Sequence, residues 1–428
     1  MRYRLLQIVL ALVLPVAFAT SVCRADIVAD IVSTVPAKAR SYTQCMEAIS
    51  RLDGSQRIVA ERIGHSVKGR PIVLVACRSE KWANLQPWEG PPRLLVIARQ
   101  HGTESSGTEA ALALLDYFAN TADETSCRIL EQLTIVAIPM ANPDGVVASR
   151  RANGAGVDLN RDWSAQTQPE TRAIVQAVER WQPSAVIDLH ELPARSSNPL
   201  YAQSFVETMG RDAQVCTRLS DDTCSSTLQL TGWLKSYGFP ANVYYNSSAS
   251  SRALCHRYFN LVRSIPAYLF EAKTGSGHPL HARVTYHILG SLVVGNHLIH
   301  NYYDAAPTET TAVAEAPEEA LPVQAEDEAT PEAELELTIL QPEDGVSADD
   351  TLPVVARIRG EGFAYVSFSV NGVLKAVTTS EPYQYFLNPG QYDEGPQRVQ
   401  VAVCDDMGRT LAAGERTVVV SRATREGR

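Results

Sequence analysis

Three short apolar runs, each handing over to acid-base residues, constrain this chain more than any other feature. Residues 94–98 (Leu-Leu-Val-Ile-Ala) lead into His101-Gly102-Thr103-Glu104, residues 186–189 (Val-Ile-Asp-Leu) into His190, and residues 267–270 (Ala-Tyr-Leu-Phe) into Glu271. Runs this short, bounded by polar and turn residues, read as buried strands rather than helices. Helical patterns at 107–119 and 170–181 lie between them, and further strands are expected at 57–63, 72–76 and 133–138. Such alternation predicts an α/β fold with a mixed, mostly parallel sheet flanked by helices. In an open α/β sheet the ligand site forms outside the carboxyl ends of the strands, so the three run ends should converge on one site.

The chemistry at those ends is that of a metal centre. His101 and Glu104 can close on one ion, and with His190 they make a His, Glu, His set that leaves a fourth position open. Taken singly, each signal has a plainer reading. His-x-x-Glu also describes two unrelated surface residues, and His190 alone describes a hydrogen-bonded core histidine. Their order along the chain favours the ligand reading, and further motifs lie between them: Asn142-Pro143-Asp144-Gly145, Arg151-Ala152-Asn153 and Asp158-Leu159-Asn160-Arg161.

This ordered series resembles the zinc carboxypeptidases of the carboxypeptidase A type, over roughly residues 40–303. Residues 63–72, which contain Gly64, Ser66, Gly69 and Arg70, are similar to the Gly-x-Ser-x-x-Gly-Arg segment that precedes the first metal ligands in that family. The resemblance implies one Zn2+ per chain held by His101, Glu104 and His190. It also implies hydrolysis of C-terminal peptide bonds by attack of zinc-bound water, with Glu271 as general base. Arg151 would steady the developing oxyanion, with Arg150 as the competing choice, and Asn160 and Arg161 would hold the substrate's terminal carboxylate. The alternatives are a Glu271 paired only with Lys273, and an Arg161 engaged in a loop salt bridge with Asp158 or Asp162.

The sequence departs from the family pattern in places. Thr103 stands where digestive relatives have arginine, and the family's mobile tyrosine is not placed among Tyr244, Tyr245 and Tyr258. Arg252, His256 and Arg257 fall where the side-chain pocket should be lined, which points away from apolar C-termini and towards acidic or cell-wall peptides. Two further readings accompany the carboxypeptidase: a zinc amidase acting on muropeptides, and a catalytically silent peptide-binding protein. The absence of Gly-x-Ser-x-Gly and of His-Glu-x-x-His excludes two other hydrolase classes at motif level.

Composition sets the remaining bounds. A chain of 428 residues, 45% hydrophobic, can bury a large core, and its formal charge of -10 argues against nucleic acid as partner. Arg2 and Arg4 precede the apolar run 5–19, which reads as part of a signal peptide spanning residues 1–25, cleaved after Ala19 or Ala25. That run is too short to span a membrane, so a secreted or periplasmic protein is expected. Cys216 and Cys224 are the cysteine pair most easily bridged.

The catalytic region is expected at 26–305, with too little chain before His101 for a folded pro-segment and hence activity without zymogen cleavage. Residues 306–334 carry nine acidic residues, four prolines and no Lys or Arg, and read as an extended linker. Short alternating runs at 335–422, with Asn371-Gly372 as a hairpin turn, read as a small all-β sandwich resembling bacterial immunoglobulin-like modules. The acidic linker should let residues up to about 305 fold and work alone, leaving the sandwich to bind an envelope or surface partner.

Overall fold

The computed structural model describes residues 25–196, 198, 201–210, 217–246, 249–304, 335–363, 365–378, 381–404 and 410–421. Nearly all of the proposed signal peptide, the proposed linker, and the side chains of Cys216 and Cys224 lie outside these residues.

Strands β1 (Ile58–His65), β2 (Pro71–Cys77), β3 (Arg93–Ala98), β4 (Thr134–Ile138), β5 (Ala185–Leu192), β6 (Phe205–Met209), β7 (Asn242–Asn246) and β8 (Ala267–Lys273) form a mixed sheet in the order β1-β2-β4-β3-β5-β8-β6-β7. The central pairs β4–β3, β3–β5 and β5–β8 are parallel. Every residue of β5 is buried, as expected for a strand covered on both faces. One apolar cluster gathers Leu112, Leu115 and Phe118 of helix Ser106–Asn120 with Leu289 and Leu292 of helix Leu280–Asp304; the other gathers Ile174, Val178 and Trp181 of helix Pro169–Trp181.

Local rules account for several boundaries. Ser41 and Gln44 form a capping box at the start of helix Tyr42–Leu52. The sequence reading missed helix Ala25–Ser33, whose Ile27, Val28 and Ile31 are buried in the larger core. It also left 193–260 unassigned, where the chain forms β6, helix Thr217–Ser236 and β7. The helix opens Thr-Arg-Leu-Ser-Asp-Asp-Thr, a polar stretch without a continuous apolar stripe, and β6 carries Glu207 among its apolar residues.

In the C-terminal region, β9 (Glu336–Gln341), β11 (Leu352–Arg359) and β14 (Tyr383–Leu387) form one antiparallel sheet. Strands β10 (Val346–Ala348), β12 (Tyr365–Val370), β13 (Val373–Thr378), β15 (Gly395–Cys404) and β16 (Thr410–Val420) form a second layer. Between β12 and β13, Asn371 and Gly372 have φ of 53° and 79°, the left-handed pair that a tight two-residue hairpin demands. Phe368, Val354, Leu387 and Val401 close the core between the layers. This second layer is not a separate sheet: β13 pairs antiparallel with β7, so it continues the sheet of the preceding region.

Candidate active site

The site is built at the carboxyl ends of β3, β5 and β8. The sequence reading set His190 and Glu271 just beyond their strands, whereas both lie inside them, because the β5–β8 ladder runs on to Leu192 opposite Lys273. That register sets His190 directly opposite Glu271. Residues so paired present their side chains on one face of the sheet.

His101 and Glu104 sit in the loop between β3 and helix Ser106–Asn120, and close backbone packing fixes that loop. A Cβ on Gly102 would fall 2.0 Å from the carbonyl carbon of Gly145, so Gly102 lets the His-Gly-Thr-Glu loop lie against the Asn-Pro-Asp-Gly turn. The Asn142 side chain donates to the carbonyls of Gln100 (2.9 Å) and Arg151 (3.2 Å), tying the two segments together. Asp144 in turn accepts from the Arg70 side chain (2.6 Å) and the Lys68 amide (2.9 Å), latching the 63–72 segment to the same turn. Glu191 accepts from the amides of Ser105 and Ser106 and from Arg283, anchoring the helix start to β5. No motif announced Glu191, although a second acid directly after His190 was a visible signal.

Three ligand-type groups meet here. His101 Nδ1 lies 2.8 Å from Glu104 Oε1, His190 Nδ1 lies 2.9 Å from Glu104 Oε2, and the two imidazole Nδ1 atoms are 3.0 Å apart. One donor atom from each residue falls within 4.8 Å of the others, and all three residues are buried. Two ring nitrogens facing each other across a carboxylate present converging lone pairs that a single cation satisfies, so the set fits Zn2+. The outer ring nitrogens are held as metal-ligating histidines usually are, His101 Nε2 by Asp158 (3.0 Å) and His190 Nε2 by Asp188 (2.9 Å). Burial alone would raise the Glu104 carboxyl, but His190 and His101 outweigh it and hold the group well below the usual range. For His190 desolvation works against charge, yet Asp188 and Glu104 raise it well above the ordinary imidazole value.

The other predicted residues gather around this centre. Arg151 donates to Asp158 Oδ2 (3.0 Å) and lies 3.3 Å from Glu104 Oε1. The competing Arg150 is exposed and does not line the cleft. Asp158 caps the short turn Leu159–Arg161 through the Asn160 amide, which brings Asn160 and Arg161 to the cleft. The Asn160 side chain reaches His190 Nε2 (3.2 Å) and accepts from the Cys255 amide (2.8 Å). Arg161 donates to the Asn160 carbonyl (2.8 Å), while Asp158 is engaged by His101 and Arg151, and Asp162 by Thr167 and Gln168. The loop salt bridge considered for Arg161 is therefore not the one formed. Nor does Lys273 pair with Glu271, since its Nζ donates to the carbonyls of Pro193 and Tyr201. Burial pushes the Glu271 carboxyl up to about 8, with Glu104 and Asp188 adding to the rise and His190 and Arg151 opposing it.

His101, Glu104, Arg151, Asn160, Arg161 and Glu271 line one cleft of about 380 Å³, with His190 buried directly behind it. A family model described as Zinc carboxypeptidase matches residues 43–277, more than half of the chain. The chain belongs to the zinc carboxypeptidase family. It is 31% identical over 130 residues to Carboxypeptidase 2 of Trichophyton tonsurans, covering 30% of this chain and 24% of that protein. Over 163 residues it is 29% identical to Carboxypeptidase SOL1 of Arabidopsis thaliana, covering 35% of this chain and 31% of the relative. The chain thus spans less than a third of the length of these relatives. Among solved structures, a metallo-carboxypeptidase from Burkholderia cenocepacia superposes with a TM-score of 0.51 at 18% identity, over 62% of this chain and 70% of the other, a likeness of fold.

The rest of the cleft corrects the reading of the side-chain pocket. Of the three basic residues placed there, only Arg257 lines it. Arg252 is exposed and donates to the Ser250 carbonyl, and His256 is buried against Glu207. Tyr244 and Tyr245 line the cleft, as does Tyr201, whereas Tyr258 accepts from Gln166 outside it. Among the described residues no helix is long and apolar enough to cross a membrane, and Cys45, Cys77, Cys127, Cys255 and Cys404 are unbridged.

Proposed function

We propose that this zinc carboxypeptidase family member is a secreted or periplasmic zinc-dependent exopeptidase that removes the C-terminal residue of peptides. One observation carries the reading: the three-residue metal set opens on the same cleft as Glu271, Arg151, Asn160 and Arg161. His101, Glu104 and His190 would hold Zn2+, whose Lewis acidity makes water a nucleophile near neutral pH and polarises a carbonyl oxygen. Glu271 takes the proton of the attacking water and returns it to the leaving amine. A carboxylate beside the metal position can serve both tasks, first as base and then as acid. Arg151 sets fixed positive charge where the oxyanion develops. Arg161 and Asn160 orient the substrate by its terminal carboxylate, which a guanidinium meets with paired donors.

The test is hydrolysis of a short free-acid peptide by full-length protein, followed by mass spectrometry. Release of single residues from the C-terminus, abolished by a strong chelator and restored by one equivalent of zinc, is the expected result. Internal cleavage, or activity indifferent to the chelator, would refute the proposal.

A further inference from the structure

The His-Gly-Thr-Glu loop borders two cavities. His101 and Glu104 line the cleft, whereas Gly102, Thr103 and Ser105 line a separate open pocket of about 810 Å³ that shares no lining residue with it. Arg40, Arg70 and Arg99 line that pocket as well, and among the described residues no acid does. In a chain whose formal charge is -10, three guanidinium groups around one hollow make a local positive concavity.

Two of the three arginines are matched from behind. Arg40 bonds Glu109 through its amide (2.6 Å) and its side chain, and Arg70 bonds Asp144 (2.6 Å) while its guanidinium lies 6.0 Å from the centre of the Tyr42 ring. Arg99 is different. It follows β3 directly with φ of 60°, is only 7% exposed, and donates through Nε to the Gly102 carbonyl (3.2 Å). Its Nη1 is buried with no hydrogen-bond partner among the described residues. The acids whose charge reaches it are engaged elsewhere: Glu109 accepts from Arg40, and Glu191 from Arg283 and the amides of Ser105 and Ser106. A buried charged donor without an acceptor is costly, so this pocket calls for an acceptor that the chain itself does not supply.

We infer that the pocket behind the metal loop binds a tetrahedral oxyanion of the phosphate type, held by Arg99 together with Arg40 and Arg70. A guanidinium offers paired donors to such an anion, and these charge-assisted bonds are the strong ones. Thr103 and Ser149, also in the lining, add hydroxyl groups. The anion would join the segment before helix Tyr42–Leu52, the 63–72 segment and the end of β3, three stretches far apart in the chain. The site is separate from the cleft and stands independently of the carboxypeptidase reading.

Phosphate is the probe, titrated calorimetrically into zinc-loaded full-length protein at constant ionic strength set with sodium chloride. Wild type should bind it saturably, and sulfate should compete. Val147 is 49% exposed in the lining of the pocket and belongs to neither core, so it can be changed without disturbing the fold. Val147→Glu sets a like charge against the anion and should weaken phosphate binding by about tenfold or more. Arg99→Gln should do the same, and should it not fold, Val147→Glu carries the test. Arg161→Ala, which removes a cation from the cleft, should leave the affinity unchanged. No saturable binding in wild type, or an affinity that Val147→Glu leaves unmoved, would overturn the inference. Loss of binding in Arg161→Ala would overturn it too, since the anion would then sit in the cleft.

Discussion

The two ends of the cleft are built by different means. At one end β5 and β8 carry His190 and Glu271 on a parallel ladder whose register sets them opposite each other, while the loop after β3 carries His101 and Glu104. At the other, β7 meets β13, a strand more than a hundred residues further along. On the paired strands of the first end a shift of one residue would turn His190 or Glu271 to the other face. The second depends on how one module docks on another. The residues proposed for catalysis thus sit where the fold is most tightly specified.

The largest effect that separates the two ends should come from Glu271→Gln. It keeps shape but removes the base, so turnover should fall by about 10²- to 10⁴-fold on every peptide alike, with zinc still bound. If Glu271→Gln instead spared turnover, the role proposed for Glu271 would fail.

A smaller effect is expected one layer behind the metal. Asp188 lies 2.9 Å from His190 Nε2 and accepts from the Gln100 side chain (2.6 Å). Asp188→Asn should weaken zinc binding by about 10- to 100-fold, as loss of an orienting carboxylate usually does. Competition with a calibrated chelator measures this. Unchanged affinity would mean that the β5 ladder alone orients His190.

Legibility in the sequence follows the same division. The metal set and the Asp-Leu-Asn-Arg turn could be read because each residue type follows directly from a strand or turn with its own pattern. Asp188, an acid inside the apolar run Val-Ile-Asp-Leu, was a readable sign of a buried partner for His190, yet it drew no role. The 193–260 stretch resisted because Glu207 interrupts an apolar strand and the helix at 217–236 opens on polar residues. The β7–β13 pairing could not be read at all, since neither strand's own pattern names its partner. The acidic composition of 306–334 suggested a module tethered only by its linker, and nothing in that composition records a shared sheet.

The central claim, that this cleft reads a free C-terminal carboxylate beside a zinc centre, is tested most directly by a double cycle on Arg161. Free-acid and amidated forms of one peptide are compared on wild type and Arg161→Ala. Amidation or the substitution alone should each lower kcat/KM by roughly two to three orders of magnitude, the cost of leaving one member of a desolvated charge pair without its partner. The two losses should not add, because both remove the same interaction. Equal cleavage of acid and amide by wild type, or full additivity of the two changes, would contradict the account.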